Sequence, residues 1–428
     1  MKTPRQVKQY ATAISFALPL VKDELNTVDL LLVEAIRIFF PKLYSVMKAE
    51  PSCFLASGLE WSFNRNKAEE NTRTKINNAL EGLMPDDRDA AGVVIKELFP
   101  RVGFVFKGNH YGSDWQGRWQ KQKRIASTAY FDRYFAYGVP PKDISDRRMD
   151  AFVATVARKG TLDLLVNEIR ELASTNTKAL MSKLWIRESS ISKDGVSNVV
   201  IAIASCADVF PYKDGPLGSG VVLGSSLGQA CQYIRELLRK IEDTEERDKM
   251  AMSVAEKIPT LLFAREYYFA IGKLSNDPDS DPKYESIVSD ECRSTILQLF
   301  ASRIATDAKR GSIFDKYSDQ ALGLLWMWFW SDEQGVRDFL GKDFDDHPEE
   351  AIKFLRWAVD SFRRQESYAN ICRLVDPGIV FTSIQQIYPD LHCTEDEFYS
   401  QEDWGKRAAS LFKEAYDQAL TSEADASA

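Results

Sequence analysis

Apolar residues recur at three- and four-residue steps through most of this chain, and that spacing restricts the fold more than any other feature. Between 223 and 244, Leu227, Ala230, Ile234, Leu237 and Ile241 draw one stripe, as 3.6 residues per turn requires of a helix packed on one side. Leu162, Leu165, Ile169 and Leu172 repeat the pattern. The run VDLLLVEAIRIFF (28–40) is apolar nearly all round, which predicts a deeply buried helix capped by Asn26 or Thr27. Pro41 opens another helix, and Pro85 with Asp86 and Asp87 opens a further one. Ser145 caps DRRMDAFVATVAR (146–158). Further helices are expected near 66–84, 86–98, 288–309, 315–330, 332–340, 348–366 and 404–421, with TSEADASA (421–428) as a loose tail. Strand signals reduce to VGFVF (102–106) and GVVL (220–223). The expected fold is all-α, mainly helical with minor strands, and shows no fixed-period repeat.

A length of 428 residues exceeds what one core organises. SNDPDSDP (275–282) is the clearest connection, giving three expected regions: 1–140, 141–274 and 283–421. Net charge is −8, which argues against a protein that coats nucleic acid broadly. The six cysteines are scattered, the usage of reduced, buried thiols in a cytosolic protein. The start imitates a signal peptide, but Lys2, Arg5 and Lys8 alternate with a helical stripe and no small-x-small cleavage site follows. No apolar run reaches the roughly 18–20 residues of a membrane span; ALGLLWMWFW (321–330) is about half that and reads as a buried helix or a partner surface.

Four stretches invite chemistry. Gly224-Ser225-Ser226-Leu227-Gly228 matches a nucleophile elbow, with Ser226 as nucleophile and His347 or His392 as base. The competing reading is a helix N-cap on Ser225 or Ser226. Asp277, Asp279 and Asp281 resemble the start of a calcium loop, but Pro282 and Val288 replace its glycine and glutamate, so a solvated linker is expected. DFDDHPEE (343–350) gathers acids around His347, and helix capping accounts for it; no ligand spacing for zinc occurs. Trp115, Arg118, Trp119, Lys121, Lys123 and Arg124 interleave rings with cations, as a nucleic-acid groove does and as a helix with buried tryptophans and a wet basic face also does. No Walker A spacing occurs anywhere: Gly272-Lys273, Gly341-Lys342 and Gly405-Lys406 all lack the preceding glycine and the following hydroxyl.

Two blocks carry a resemblance. Residues 3–47, TPRQVKQYATAISFALPLVKDELNTVDLLLVEAIRIFFPKLYSVM, and residues 108–146, ending in YFDRYFAYGVPPKDISD, resemble the segments after the nucleotide-binding core in the KAP family of P-loop NTPases, a STAND-like branch. The resemblance implies a bacterial, cytoplasmic ATPase, with antiphage defence among the roles of its relatives. It implies that residues 1–140 form a helical lid and winged-helix-like region, followed by a stacked-helix C-terminal region. The Walker elements would lie upstream, in the same polypeptide or a separate chain. This part would then be the regulatory or sensing half, with no ATPase activity of its own and with ATP and Mg bound only alongside the core. Thr3-Pro4-Arg5 matches the family's Asn/Thr-Pro-Arg, so Arg5 is expected at the phosphates. Phe131, Tyr134, Phe135, Gly138, Pro140 and Pro141 would form a structural joint coupling nucleotide state to the later helices, which would meet protein partners. The alternatives are a helical interaction scaffold that touches nucleic acid through 115–124, and a serine hydrolase through Ser226.

Overall fold

The computed structural model describes residues 3–55, 65–100, 102, 114–158, 160–213, 224–272, 285–359, 363–391 and 404–427. These residues are helical with no strand among them, so the all-α expectation holds. Of the two expected strands, 220–223 lies outside the described residues, and of 102–106 only Val102 is described, as helical. The chain divides into two compact units, Met1–Asn198 and Val199–Ala428.

Unit 1 holds α1 (Pro4–Leu20), α2 (Thr27–Phe39), α3 (Pro41–Ala49), α4 (Pro51–Phe54), α5 (Arg65–Ala79), α6 (Pro85–Leu98), α7 (Asp114–Lys121), α8 (Arg133–Ala136), α9 (Asp146–Ala157), α10 (Leu162–Thr175) and α11 (Thr177–Ile186). The division falls inside α12 (Lys193–Ser205). Helices α3 and α4 each start on a proline with a single residue between it and the preceding helix, and α6 starts on Pro85; at these positions a missing N–H costs nothing. Asn26 caps α2 by accepting from the amides of Val28 and Asp29 at 3.0 and 3.1 Å. Helix α2 is central, packing on α1, α3 and α6 and burying Leu30, Val33 and Ile36. Burial of each such side chain contributes about 1.5–3 kcal/mol. Phe54, Phe99, Phe131 and Phe135 continue that core as successive tilted rings with centroids 5.0, 6.2 and 4.9 Å apart.

Unit 2 holds α13 (Ser226–Leu238), α14 (Thr244–Lys257), α15 (Leu261–Ile271), α16 (Asp290–Ala308), α17 (Ile313–Tyr317), α18 (Ala321–Phe329), α19 (Glu333–Asp346), α20 (Pro348–Ala358), α21 (Arg364–Leu374), α22 (Pro377–Ile387) and α23 (Trp404–Ser427). Here α13 packs on α15, α16 on α18, and α20 on both α22 and α23. The expected helix at 315–330 is two helices, broken at Ser318, whose φ of 48° lies in the left-handed region that a helix interior does not tolerate. The tail expected to be loose continues α23 as far as Ser427, because its alanines and Glu423 favour helix even without apolar content. In α18, Trp328 is buried, and Trp326 lies under the Arg373 guanidinium, 5.0 Å from its ring centre; Trp330, just past its end, is half exposed.

Candidate functional site

The segment from Tyr130 to Arg147 is a closed ion-pair knot centred on Arg133. Helix α8 is a single turn, ended by Tyr137 in the left-handed region at φ 52°. That turn leaves Arg133 only 1% exposed, and a guanidinium so buried is tolerated only when its donors are matched. They are. Its Nη1 donates to Glu24 Oε2 at 2.6 Å and to Asp146 Oδ2 at 2.8 Å. Its Nε donates to Asp143 Oδ2 at 2.6 Å and its Nη2 to the Ile144 carbonyl at 2.7 Å.

Asp146 is the second centre. Its Oδ1 accepts from the Tyr130 hydroxyl at 3.0 Å and from Arg187 Nη2 at 2.7 Å, and Lys183 Nζ stands 3.3 Å from Oδ2. Lys183 and Arg133 both lie over the Tyr130 ring, 4.7 and 5.0 Å from its centre. Glu24, from the turn after α1, accepts from the backbone amides of Asp146 and Arg147 at 2.8 and 3.1 Å. A carboxylate distant in sequence thus supplies the N-terminal anion that α9 favours, while Ser145 Oγ accepts from the Arg148 amide at 3.1 Å. Three segments of unit 1 are tied here: the turn after α1, the 130–147 stretch, and α11.

Electrostatics follow from this geometry. Burial alone would raise the Asp146 carboxyl, but Lys183, Arg187 and Arg133 outweigh it and hold it below the usual aspartate value. Burial pushes Lys183 down against the pull of Asp146. Burial also lowers Arg133, but its carboxylates win and raise it. Burial, followed by the neighbouring Asp146 charge, pushes the Tyr130 hydroxyl far above its ordinary range. A second knot stands beside the first: Tyr134 accepts from the Asn26 amide at 3.1 Å and donates to the Lys123 carbonyl at 2.7 Å. Asp29 accepts from Arg124 Nε at 3.2 Å and from the Ile125 amide at 2.9 Å. With their polar atoms turned on one another, both knots can hold elements in place. Neither presents a nucleophile to a substrate.

The expected joint residues lie around this knot. Phe131 and Tyr134 are buried, Phe135, Gly138 and Pro140 half-buried, and Pro141 exposed. Sequence reasoning missed Arg133 itself, together with Tyr130, Asp143, Glu24, Asp146, Lys183 and Arg187. An arginine between two aromatic pairs, followed by Asp143 and Asp146, is a signal that points to Arg133, Tyr130 and both aspartates. Nothing local in the sequence points to Glu24, Lys183 or Arg187.

The other candidates separate. Arg5 is exposed in the first turn of α1, behind the Thr3 cap, which accepts from Gln6 N at 3.3 Å. Of the six basic and aromatic residues in 115–124, Trp119 is buried, Lys123 donates to the Asp23 carbonyl, and Arg124 pairs with Asp29. Trp115 is 38% exposed with the Arg118 guanidinium 5.3 Å from its ring centre, and Arg118 and Lys121 are exposed. Ser225 is the N-cap of α13, its Oγ accepting from the Gly228 amide at 3.1 Å. Ser226 is fully buried while His347 is exposed; His392 lies outside the described residues, as do Asp277, Asp279 and Asp281. Around His347 the acids end α19 and begin α20, with Pro348 at its first position. Among the described residues no group of three or more His, Cys, Asp or Glu side chains is placed to hold a metal ion, and no helix is long and apolar enough to cross a membrane. Comparison of the chain with protein-family models, with curated proteins and with solved structures returned no match.

Proposed function

We propose that this chain is the non-catalytic, regulatory half of a KAP-type P-loop ATPase, and that α1 is where a nucleotide-binding core docks. The observation that carries the reading is an exposed apolar pair on α1: Phe16 and Leu20, one turn apart, are 67% and 51% exposed, on the face that displays Arg5 in the first turn of the same helix. Its other side is committed, with Ala17 buried and Tyr10 donating to the Leu31 carbonyl at 2.9 Å. Two apolar side chains a turn apart on a helix face with an exposed arginine suit a partner that brings both an apolar patch and phosphate charge. The turn after α1 carries Glu24, so the knot ties any displacement of α1 to α9. ATP and Mg belong to the core in this reading. The bacterial cytoplasmic setting and antiphage role rest on the resemblance of 3–47 and 108–146 alone.

The test is association and turnover with a purified KAP-family core added in trans. The core binds the chain and hydrolyses ATP faster with it, Phe16→Glu abolishes association, and Arg5→Ala slows turnover with association intact. A core that ignores the chain sinks the proposal. A second reading has one observation in its favour, the exposed Trp115 ring paired with Arg118. It requires single-stranded DNA or RNA to bind and Arg118→Glu to weaken that binding.

A further inference from the structure

Unit 2 contains a cavity of about 600 Å³, within the size range of small-molecule sites. Its wall joins cations to rings: Arg303, Arg310 and Lys316 line it together with Phe210, Tyr212 and Tyr317. The cations are not equivalent. Lys316 is committed, its Nζ 2.7 and 2.8 Å from the two oxygens of Asp307, which also accepts from Tyr317 at 2.7 Å. Arg303 is half-buried and donates from Nη2 to the Ile258 carbonyl at 2.6 Å. No carboxylate pairs with it among the described residues, and burial holds it below the ordinary guanidinium value. Arg310 is exposed and makes no ion pair among the described residues. Asp208 is the other carboxylate on the wall, at its exposed side.

The ends of α15 differ in the same sense. At the C-terminal end, the buried Arg235 donates to the carbonyls of Ala270 and Gly272. The N-terminal end opens on the cavity through Thr260, Leu261 and Leu262. Thr260 occupies the capping position without a side-chain capping bond, and among the described residues no other side chain accepts from the first-turn amides. One end of the helix is neutralised from within the protein, and the other is left with positive partial charge beside Arg303 and Arg310.

We propose that this cavity binds a small phosphate-bearing ligand, its phosphate oxygens taken by Arg303, Arg310 and the amides at the start of α15. Phe210, Tyr212 and Leu262 offer the remaining volume to an apolar or aromatic portion of that ligand. The site lies within unit 2 and stands independently of the docking proposed for α1.

The test is calorimetric titration of the full chain, without any core, using inorganic pyrophosphate and AMP as probes. Binding of at least one at about millimolar strength or tighter is expected. Arg303→Gln should weaken it about tenfold or more, the scale of a lost charge-assisted hydrogen bond. Lys249→Gln, an exposed change on α14, should leave binding unaltered. AMP binding tighter than pyrophosphate assigns the ring-lined volume to a nucleoside; the reverse assigns the site to inorganic phosphate chemistry. Neither probe binding, or equal binding by Arg303→Gln with an unchanged melting temperature, overturns the proposal. Because no core is present, failure here leaves the α1 reading untouched.

Discussion

Arg133 and Arg303 are both drawn away from water and end in opposite situations. Arg133 faces three carboxylates and a carbonyl and is sealed; Arg303 holds one carbonyl and borders a cavity. The first arrangement fixes backbone, since its donors are all met, by the turn after α1 through Glu24 and by the start of α9 and the turn before it through Asp143, Ile144 and Asp146. The second leaves donor capacity over, which only a ligand or water can use. Saturation, more than burial or charge, separates a cation that builds the fold from one that is offered outward.

The sharpest way to break this comparison is Arg133→Met against Arg303→Gln. Removing Arg133 strands Glu24, Asp143 and Asp146 in a buried site, an expected loss of about 3–5 kcal/mol in unit 1. Arg303→Gln should cost about 1 kcal/mol or less. Urea midpoints decide it, and equal losses would show that Arg303 is structural after all. Tyr130→Phe comes next: it removes one hydrogen bond to a charged acceptor and keeps the ring under Lys183 and Arg133, an expected cost of about 1.5–3 kcal/mol. A change below that range would mean the ring, not the hydroxyl, is what the knot requires.

Acid should then act oppositely at Asp146 and at Glu266. The folded Asp146 carboxyl is depressed, so its contribution is present above the ordinary aspartate range and is lost as pH falls through the lower, folded value. Glu266 in unit 2 moves the other way: burial raises it against Arg265. Folded unit 2 therefore takes up a proton before its unfolded form does, and stability gains as pH falls through that raised value toward the ordinary glutamate range. Hydrogen exchange, corrected for intrinsic rates at each pH, should show α15 around Glu266 firming at mild acidity and the start of α9 around Asp146 loosening at stronger acidity. Asp146→Asn should abolish the second effect. The smallest effect is Ser225→Ala, the loss of one cap on α13, about 1 kcal/mol, read as faster exchange confined to that helix's first turn.

The helices were legible because their information is local. Asn26, Pro41, Pro85 and Ser145 mark starts that depend on a residue and its next few neighbours. The break at Ser318 was not legible, since the apolar pattern runs through it. The knot was half legible: aromatics around Arg133 and two aspartates close behind announce a special turn. Glu24, Lys183 and Arg187 join by tertiary packing, with no trace in spacing. The cavity was invisible, because Phe210, Thr260 and Arg303 lie on separate elements and each looks ordinary in its own stretch. Ser226 shows the converse. A motif with the right letters sits behind its neighbour Ser225, which caps the helix.

Glu24 and the Asp146 amide it binds are separated by 122 residues, and that distance becomes time when the chain is made. At about 5–20 residues per second, Glu24 waits on the order of ten seconds for its partner, and the lysine and second arginine of α11 arrive later still. During that interval the first helix carries its exposed valine, phenylalanine and leucine with nothing to anchor the turn behind it. A chain interrupted between these points leaves each piece with charges whose partners are on the other. Its N-terminal piece therefore keeps a Glu24 carboxylate without the arginine and amides that the completed knot supplies.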